Sequence, residues 1–109
     1  MTTIAEIVQP SGILSQGNAD LLRSEIASLL EKEVKIILID FQDVTFMTSS
    51  GIGALVATLK AVNAADGKLY ICSLSEQVKN IFELTKMEQI FRPLANRQEF
   101  EEKVLTEIA

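Results

Sequence analysis

Apolar and polar positions alternate along the chain in segments whose period changes repeatedly between strand-like and helix-like. Ile4–Gln9 alternates loosely, with Ile4, Glu6 and Val8 on one side and Ala5 and Ile7 on the other. Pro10-Ser11-Gly12 then interrupts it before a short Ile13-Leu14 run, so the stretch reads as one or two short edge strands, a proline being unable to donate to a ladder. Leu22, Ile26, Leu29 and Leu30 recur at helical spacing and predict a helix from Ala19 to about Lys32, with Asn18 as its cap. Val34–Phe41 is nearly continuous in β-branched and apolar residues, the pattern of an interior parallel strand. A second helix, capped by Ser50 or Ser49, should run to about Ala65 and stop near Asp66-Gly67. Lys68–Ser73 reads as another interior strand. Ser75 should cap a third helix with Val78, Ile81, Phe82 and Leu84 on its apolar side. A short strand is expected around Ile90–Leu94, and Asn96 should open a last helix facing inward with Phe100, Val104 and Ile108. Strand and helix thus alternate three times, which predicts an α/β domain with a mostly parallel sheet.

The 109 residues correspond to one domain, spanning 1–109, with a composition of 48% hydrophobic and 23% charged residues that suits a packed core. Histidine is absent and Cys72 is the single cysteine. That excludes Ser-His-Asp and Cys-His nucleophile pairs, histidine zinc sites and an intrachain disulfide. Ten basic against fifteen acidic residues leave a net charge of −5, which repels phosphate backbones and anionic lipid, so neither nucleic acid nor a membrane is expected as a partner. The first residues lack the features of a signal peptide, and the longest uncharged stretch, Val44–Leu59, is too short and too polar to span a bilayer. The expectation is a cytoplasmic protein.

Candidate chemistry is sparse. Gly51-Ile52-Gly53 has Val56 where a dinucleotide loop needs its third glycine, and no P-loop lysine follows. Asp40 and Asp43, at the carboxyl end of a strand, could together hold one Mg²⁺; strand termination and an Asx turn account for them more simply. Cys72, within an apolar strand, reads as a small core residue. The segment that stands out is Thr48-Ser49-Ser50-Gly51-Ile52-Gly53. Capping needs only one of the three hydroxyls, at about 1 kcal/mol. Two glycines in a first helical turn sacrifice about 1 kcal/mol each in propensity, which suits close approach of another molecule. A phosphate there would sit at the positive end of the helix dipole. Ile52, Leu55, Val56, Leu59 and Val62 should form the buried face of the helix, leaving Ala54, Ala57, Thr58, Ala61 and Ala65 as a nearly uncharged flank for docking. Alanine's helix propensity alone would explain the same residues.

Phe46-Met47-Thr48-Ser49-Ser50-Gly51-Ile52-Gly53, following the strand Ile36–Phe41, closely resembles the signature of STAS domains, specifically the bacterial anti-sigma factor antagonists of the SpoIIAA type. Gly12-Ile13-Leu14-Ser15 is similar to that family's Gly-x-Leu-Asp turn, Gly67-Lys68-Leu69 to its Gly-x-Leu strand entry, and Ser75–Leu84 to the helix after it. The resemblance implies a SpoIIAA-like fold with a four-to-five-stranded, mostly parallel mixed sheet and about four helices. It also implies a first strand shorter than the family's.

What the resemblance implies in function is a non-enzymatic, cofactor-free switch in transcription regulation. Ser50 would be phosphorylated by an anti-sigma factor that is itself a serine kinase; the unmodified chain would bind that factor and release its sigma factor. A PP2C-type phosphatase would reverse the modification. Ser15, Thr48, Ser49, Gly51, Ile52, Gly53, Ala54 and Ala57 would form the partner surface. Two positions depart from the pattern: Thr48 and Ser15 both stand where relatives commonly carry aspartate, removing negative charge near Ser50. Two alternatives stand beside this switch. One is a non-switching STAS interaction module, as in stressosome scaffolds or soluble subunits of lipid transporters, with Ser50 only a cap. The other is a receiver-type phosphoacceptor at Asp40. The Val34–Phe41 strand is apolar on both faces, and the N-terminal segment or a second copy in a weak homodimer is expected to cover the second face.

Overall fold

A computed structural model describes residues 5–105. Among these residues five strands pair in parallel, in three ladders that make two sheets. Strands β1 (Ala5–Val8), β3 (Ile36–Asp40) and β5 (Lys68–Cys72) form one sheet with β3 in the centre. Strands β2 (Ser11–Leu14) and β4 (Asp43–Met47) form the other. Helices α1 (Gln16–Glu31), α2 (Ser49–Ala64) and α3 (Glu76–Leu84) are joined by the short α4 (Met87–Phe91) and α5 (Arg97–Phe100), and α5 continues into a π-helical turn over Glu101–Leu105. The opening stretch is indeed two strands, broken at Pro10.

Every residue of β3 is buried, as its two-faced apolar pattern requires. Its odd-numbered side chains, Ile37 and Ile39, join Leu14, Leu22, Ile26, Phe41, Val44, Met47, Leu55, Val62, Val78 and Phe82 in the main core. Phe82 bridges Phe41 and Phe91 there, with ring centroids 6.1 and 6.0 Å apart. The even-numbered Ile36 and Leu38 join Cys72, Phe100 and Val104 in a separate cluster on the other side. Within the described residues the second face of β3 is covered by Phe100 and Val104 of the last helical segment, with Ala5 of the N-terminal segment packed beside them, so a second copy is not required there. Phe100 does this against Tyr70, centroids 5.5 Å apart.

Several local expectations are corrected. The chain around Ile90–Leu94 forms the end of α4 rather than a strand, and only Leu94 bridges to Cys72. Asn18 lies inside α1 instead of capping it; its amide donates to the carbonyl of Ile13, and Ser15 holds the N-cap position without a side-chain bond. Leu84 is exposed at the end of α3. Ser75 and Asn96 do cap, accepting from the amides of Val78 and Glu99. Ile108 lies outside the described residues.

Candidate functional site

The hydroxyl cluster sits where β4 runs into α2. Between Gly12 and Ile13 the β2–β4 register slips, so Gly12 faces Val44 while Ile13 faces Phe46, leaving Thr45 as the extra residue of a bulge. Gly12 adopts φ +76° at this slip, a conformation that disfavours any side chain. The bulge turns Leu14 and Met47 inward together and leaves the pair Ile13 and Phe46 exposed.

Because Leu14 and Met47 are register partners, helices α1 and α2 start side by side. The Thr48 amide donates to the Leu14 carbonyl at 3.1 Å, tying the two helix entries together. The N-cap of α2 is Thr48, whose Oγ1 accepts from the Gly51 amide at 3.1 Å; this corrects the expected cap at Ser49 or Ser50. Neither first turn carries an acidic side chain. Two positive helix ends, each equivalent to roughly half a unit charge, therefore adjoin without a neutralising carboxylate.

With the cap assigned to Thr48, Ser49 and Ser50 occupy the first two helical positions and are both exposed. Their amides have no acceptor within the helix, and no side-chain hydrogen bond engages Ser50 among the described residues. The other expected contact residues divide. Gly53 is exposed and open, with nothing within 4 Å of where a Cβ would stand. Ile52 and Ala57 are half-buried, as are Thr48 and Ser15. Gly51 is buried against backbone, a Cβ there falling 2.0 Å from the Leu14 carbonyl oxygen. Ala54 is buried too.

The expected alanine flank is thus corrected in part. Ala54 and Thr58 are buried because α1 packs on that side of α2, and Thr58 turns its hydroxyl back to the Ala54 carbonyl at 2.8 Å. Ile52, Val56 and Leu59 of the expected buried face are only half-buried. The helix is rotated toward α1, which small residues allow by letting the two backbones approach.

Asp40 and Asp43 form no shared cation site. Asp40, 1% exposed, accepts from the Gln42 amide (2.9 Å) and from Arg97 Nε (2.6 Å). Asp43 accepts from Gln9 Nε2 at 2.8 Å, and Gln9 Oε1 accepts from Arg97 at 2.6 Å. Asp40 thus supplies both the strand end and the Asx turn, and its burial removes it as a receiver-type phosphoacceptor. Among the described residues no group of three or more acidic, cysteine or histidine side chains could hold a metal. Cys72 is fully buried, and burial foremost pushes its thiol pKa up. Arg97 was not foreseeable as Asp40's partner, being 57 positions away with no local pattern to mark it. The exposed Ile13–Phe46 pair depends on the bulge, which spacing alone does not show.

The fold and the serine-bearing turn define a STAS domain: the profile of that family matches residues 2–103, and the chain belongs to it. Among its relatives is the anti-sigma-B factor antagonist of Staphylococcus aureus, 29% identical over 83 residues, which are 76% of this chain and 77% of that protein. The crystal structure of a candidate anti-sigma factor antagonist from Thermotoga maritima superposes with a TM-score of 0.80 at 26% identity, covering 90% of this chain and 85% of that one. A sulfate transporter family protein from Wolinella succinogenes shares the fold with the same TM-score, over 94% and 88% of the two chains, at 18% identity. Among the described residues no helix is long and apolar enough to cross a membrane.

Proposed function

We propose that the protein is an anti-sigma factor antagonist working by partner switching in the cytoplasm, with Ser50 as its phosphorylation site. The observation that carries this is the uncommitted, exposed hydroxyl of Ser50 at the second position of α2, left over because Thr48 supplies the cap. The relatives named as antagonists support the same role. In the unmodified state the exposed Ser49, Ser50 and Gly53, with half-buried Ile52, Ala57, Thr48 and Ser15 around them, are the contact surface for an anti-sigma factor that is also a serine kinase.

Phosphorylation adds about −1.5 to −2 charges and three acceptor oxygens. The adjoining helix ends accommodate that charge, so the fold persists. Binding is lost through the hydrated bulk and charge placed within the contact surface, a local change read out as release of the partner. A PP2C-type phosphatase restores the binding form. The kinase brings the nucleotide and its Mg²⁺, so this chain supplies a hydroxyl and a surface but no catalytic step.

The test is the intact mass of the chain after incubation with Mg-ATP and a panel of serine-kinase anti-sigma factors. One acid-stable phosphate is expected, lost in Ser50→Ala and kept in Ser49→Ala. Stable complexes with no phosphate on any serine would instead establish a non-switching interaction module.

A further inference from the structure

We propose that the C-terminal helical segment, residues 97–105, is a latched cover that lifts as a unit from the second face of the β-sheet. This inference is independent of Ser50. It starts from the division of the interior into two clusters. The main core, with α1, α2 and α3, fills one side of the three-stranded sheet. On the other side Ile36, Leu38 and Cys72 are roofed by Phe100 and Val104, with Leu105 partly buried beside them. Among the described residues the cover thus adheres through few apolar side chains, the condition under which a segment opens separately from the global transition.

The segment also holds its own shape. Asn96 Oδ1 accepts from the Glu99 amide at 2.9 Å while Glu99 Oε1 accepts from the Ala95 amide at 2.7 Å, a reciprocal cap. Lys103 pairs with Glu99 at 3.0 Å, and Gln98 donates to Glu102 at 3.3 Å. The last two pairs lie within residues 98–103 and travel with the segment, while the reciprocal cap spans its hinge. Just before it, Leu94 is pinned to β5: its amide donates to the Ile71 carbonyl, and its carbonyl accepts from the Ser73 amide. The pivot therefore falls at Ala95–Asn96.

The latch is Arg97. Its guanidinium reaches from the cover to Asp40 at the end of β3 and to Gln9 after β1, each at 2.6 Å, and Gln9 passes the connection to Asp43. Removing the arginine leaves Asp40 buried with only the Gln42 amide, so closed and open are discrete states: Asp40 is either paired or hydrated. The device makes the sheet face opposite α2 conditionally accessible, a second two-state element in a domain whose serine lies elsewhere.

Cys72 reports the opening, being fully buried beneath the cover. The full-length chain is treated with Ellman's reagent at increasing urea concentrations below the unfolding transition, alongside circular dichroism. Labelling faster than global unfolding permits, with a shallower urea dependence, is the expected result. Arg97→Gln should accelerate labelling on the order of tenfold, less than a fully buried pair would give because Arg97 is partly exposed; Ser50→Asp should leave it unchanged. Hydrogen exchange in Arg97→Gln should rise at 100–105 and stay fixed in β3 and α2. If Arg97→Gln does not fold, Val104→Ala should show the same local acceleration. Labelling that follows the urea dependence of global unfolding in the wild type, or variants that raise labelling only in step with global destabilisation, would overturn the proposal.

Discussion

Alanine substitutions at Gly51 and Gly53, two residues apart in one helix, should move stability in opposite directions. In helix propensity alone each change gains about 1 kcal/mol. At Gly53 nothing opposes the gain, since the added methyl meets open space. At Gly51 the methyl lands 2.0 Å from the Leu14 carbonyl oxygen and 2.9 Å from its carbon. Ordinary carbon–oxygen contacts begin near roughly 3.3 Å, so the two backbones must separate by about an ångström. That carbonyl accepts from the Thr48 amide, and Leu14 itself is fully buried. Overpacking costs about 1–3 kcal/mol, and loosening the Thr48 bond adds about 1–3 kcal/mol. After the propensity gain, Gly51→Ala should lose about 1–5 kcal/mol.

For a domain near this size 1 kcal/mol corresponds to about 4 °C in Tm. Thermal melts should therefore place Gly53→Ala about 4 °C above the wild type and Gly51→Ala roughly 4–20 °C below it. Binding supplies a second readout. Gly53→Ala should weaken the complex with an anti-sigma factor despite its greater stability, because the methyl intrudes on the contact surface. A Gly51→Ala protein melting within two or three degrees of the wild type would refute the inferred closeness of β2 and α2. A destabilised Gly53→Ala would refute the claim that this glycine is kept for something other than the fold.

Ser50→Asp should abolish anti-sigma factor binding in a pull-down while leaving Tm unchanged or slightly raised, since a charge at a helix N-terminus contributes about 0.3–1 kcal/mol. Thr48→Ala should lower the unfolding free energy by about 1 kcal/mol in urea titrations, whereas Thr48→Asp, which keeps an acceptor for the Gly51 amide, should restore most of it. Glu99's pKa is lowered, first by the Ala95 amide and then by Lys103. A carboxyl with a depressed folded-state pKa stabilises above its unfolded value and loses that contribution as pH falls through the folded one. Amide protection at Ala95 and along residues 97–105, taken relative to intrinsic exchange at each pH, should therefore fall on acidification below the usual glutamate range, and Glu99→Gln should show a weaker pH dependence.

What the sequence discloses about this fold depends on how local each cause is. β3 is legible because a nearly continuous β-branched run suits a strand buried on both faces, and β5 because Leu69–Cys72 is an unbroken apolar run. Ser75 and Asn96 are legible because a capping side chain bonds an amide three residues away. β4 is not, since the bulge leaves its buried Val44 and Met47 three residues apart, a spacing unlike a strand's. The cap of α2 reads as Ser50 or Ser49 from the sequence, and only the tie between Thr48 and Leu14, 34 residues apart, moves it to Thr48. Ser50 emerged as the candidate from its motif, while the burial of Gly51 and Ala54 depends on β2 and α1 and so required the tertiary structure. The cover over β3 and its Arg97 latch join residues 57 apart, with no periodicity to betray them.

The two departures from the family pattern acquire one explanation from this geometry. Ser15 and Thr48 are both helix N-cap residues, at the starts of neighbouring helices. Aspartate, serine and threonine are all competent caps; Thr48 keeps a side-chain cap bond while removing charge, whereas Ser15 makes none and removes charge alone. A carboxylate at either place would offset a positive helix end and repel a phosphate on Ser50 two residues beyond Thr48. Were Ser50 phosphorylated as proposed, the adjoining helix ends would be left for its phosphate to neutralise, which would favour that form over an aspartate-capped one. The same loss of charge would weaken any cationic contact a kinase made there. On that proposal the substitutions bear in opposite senses on how readily Ser50 is modified and on how well the modified state is accommodated.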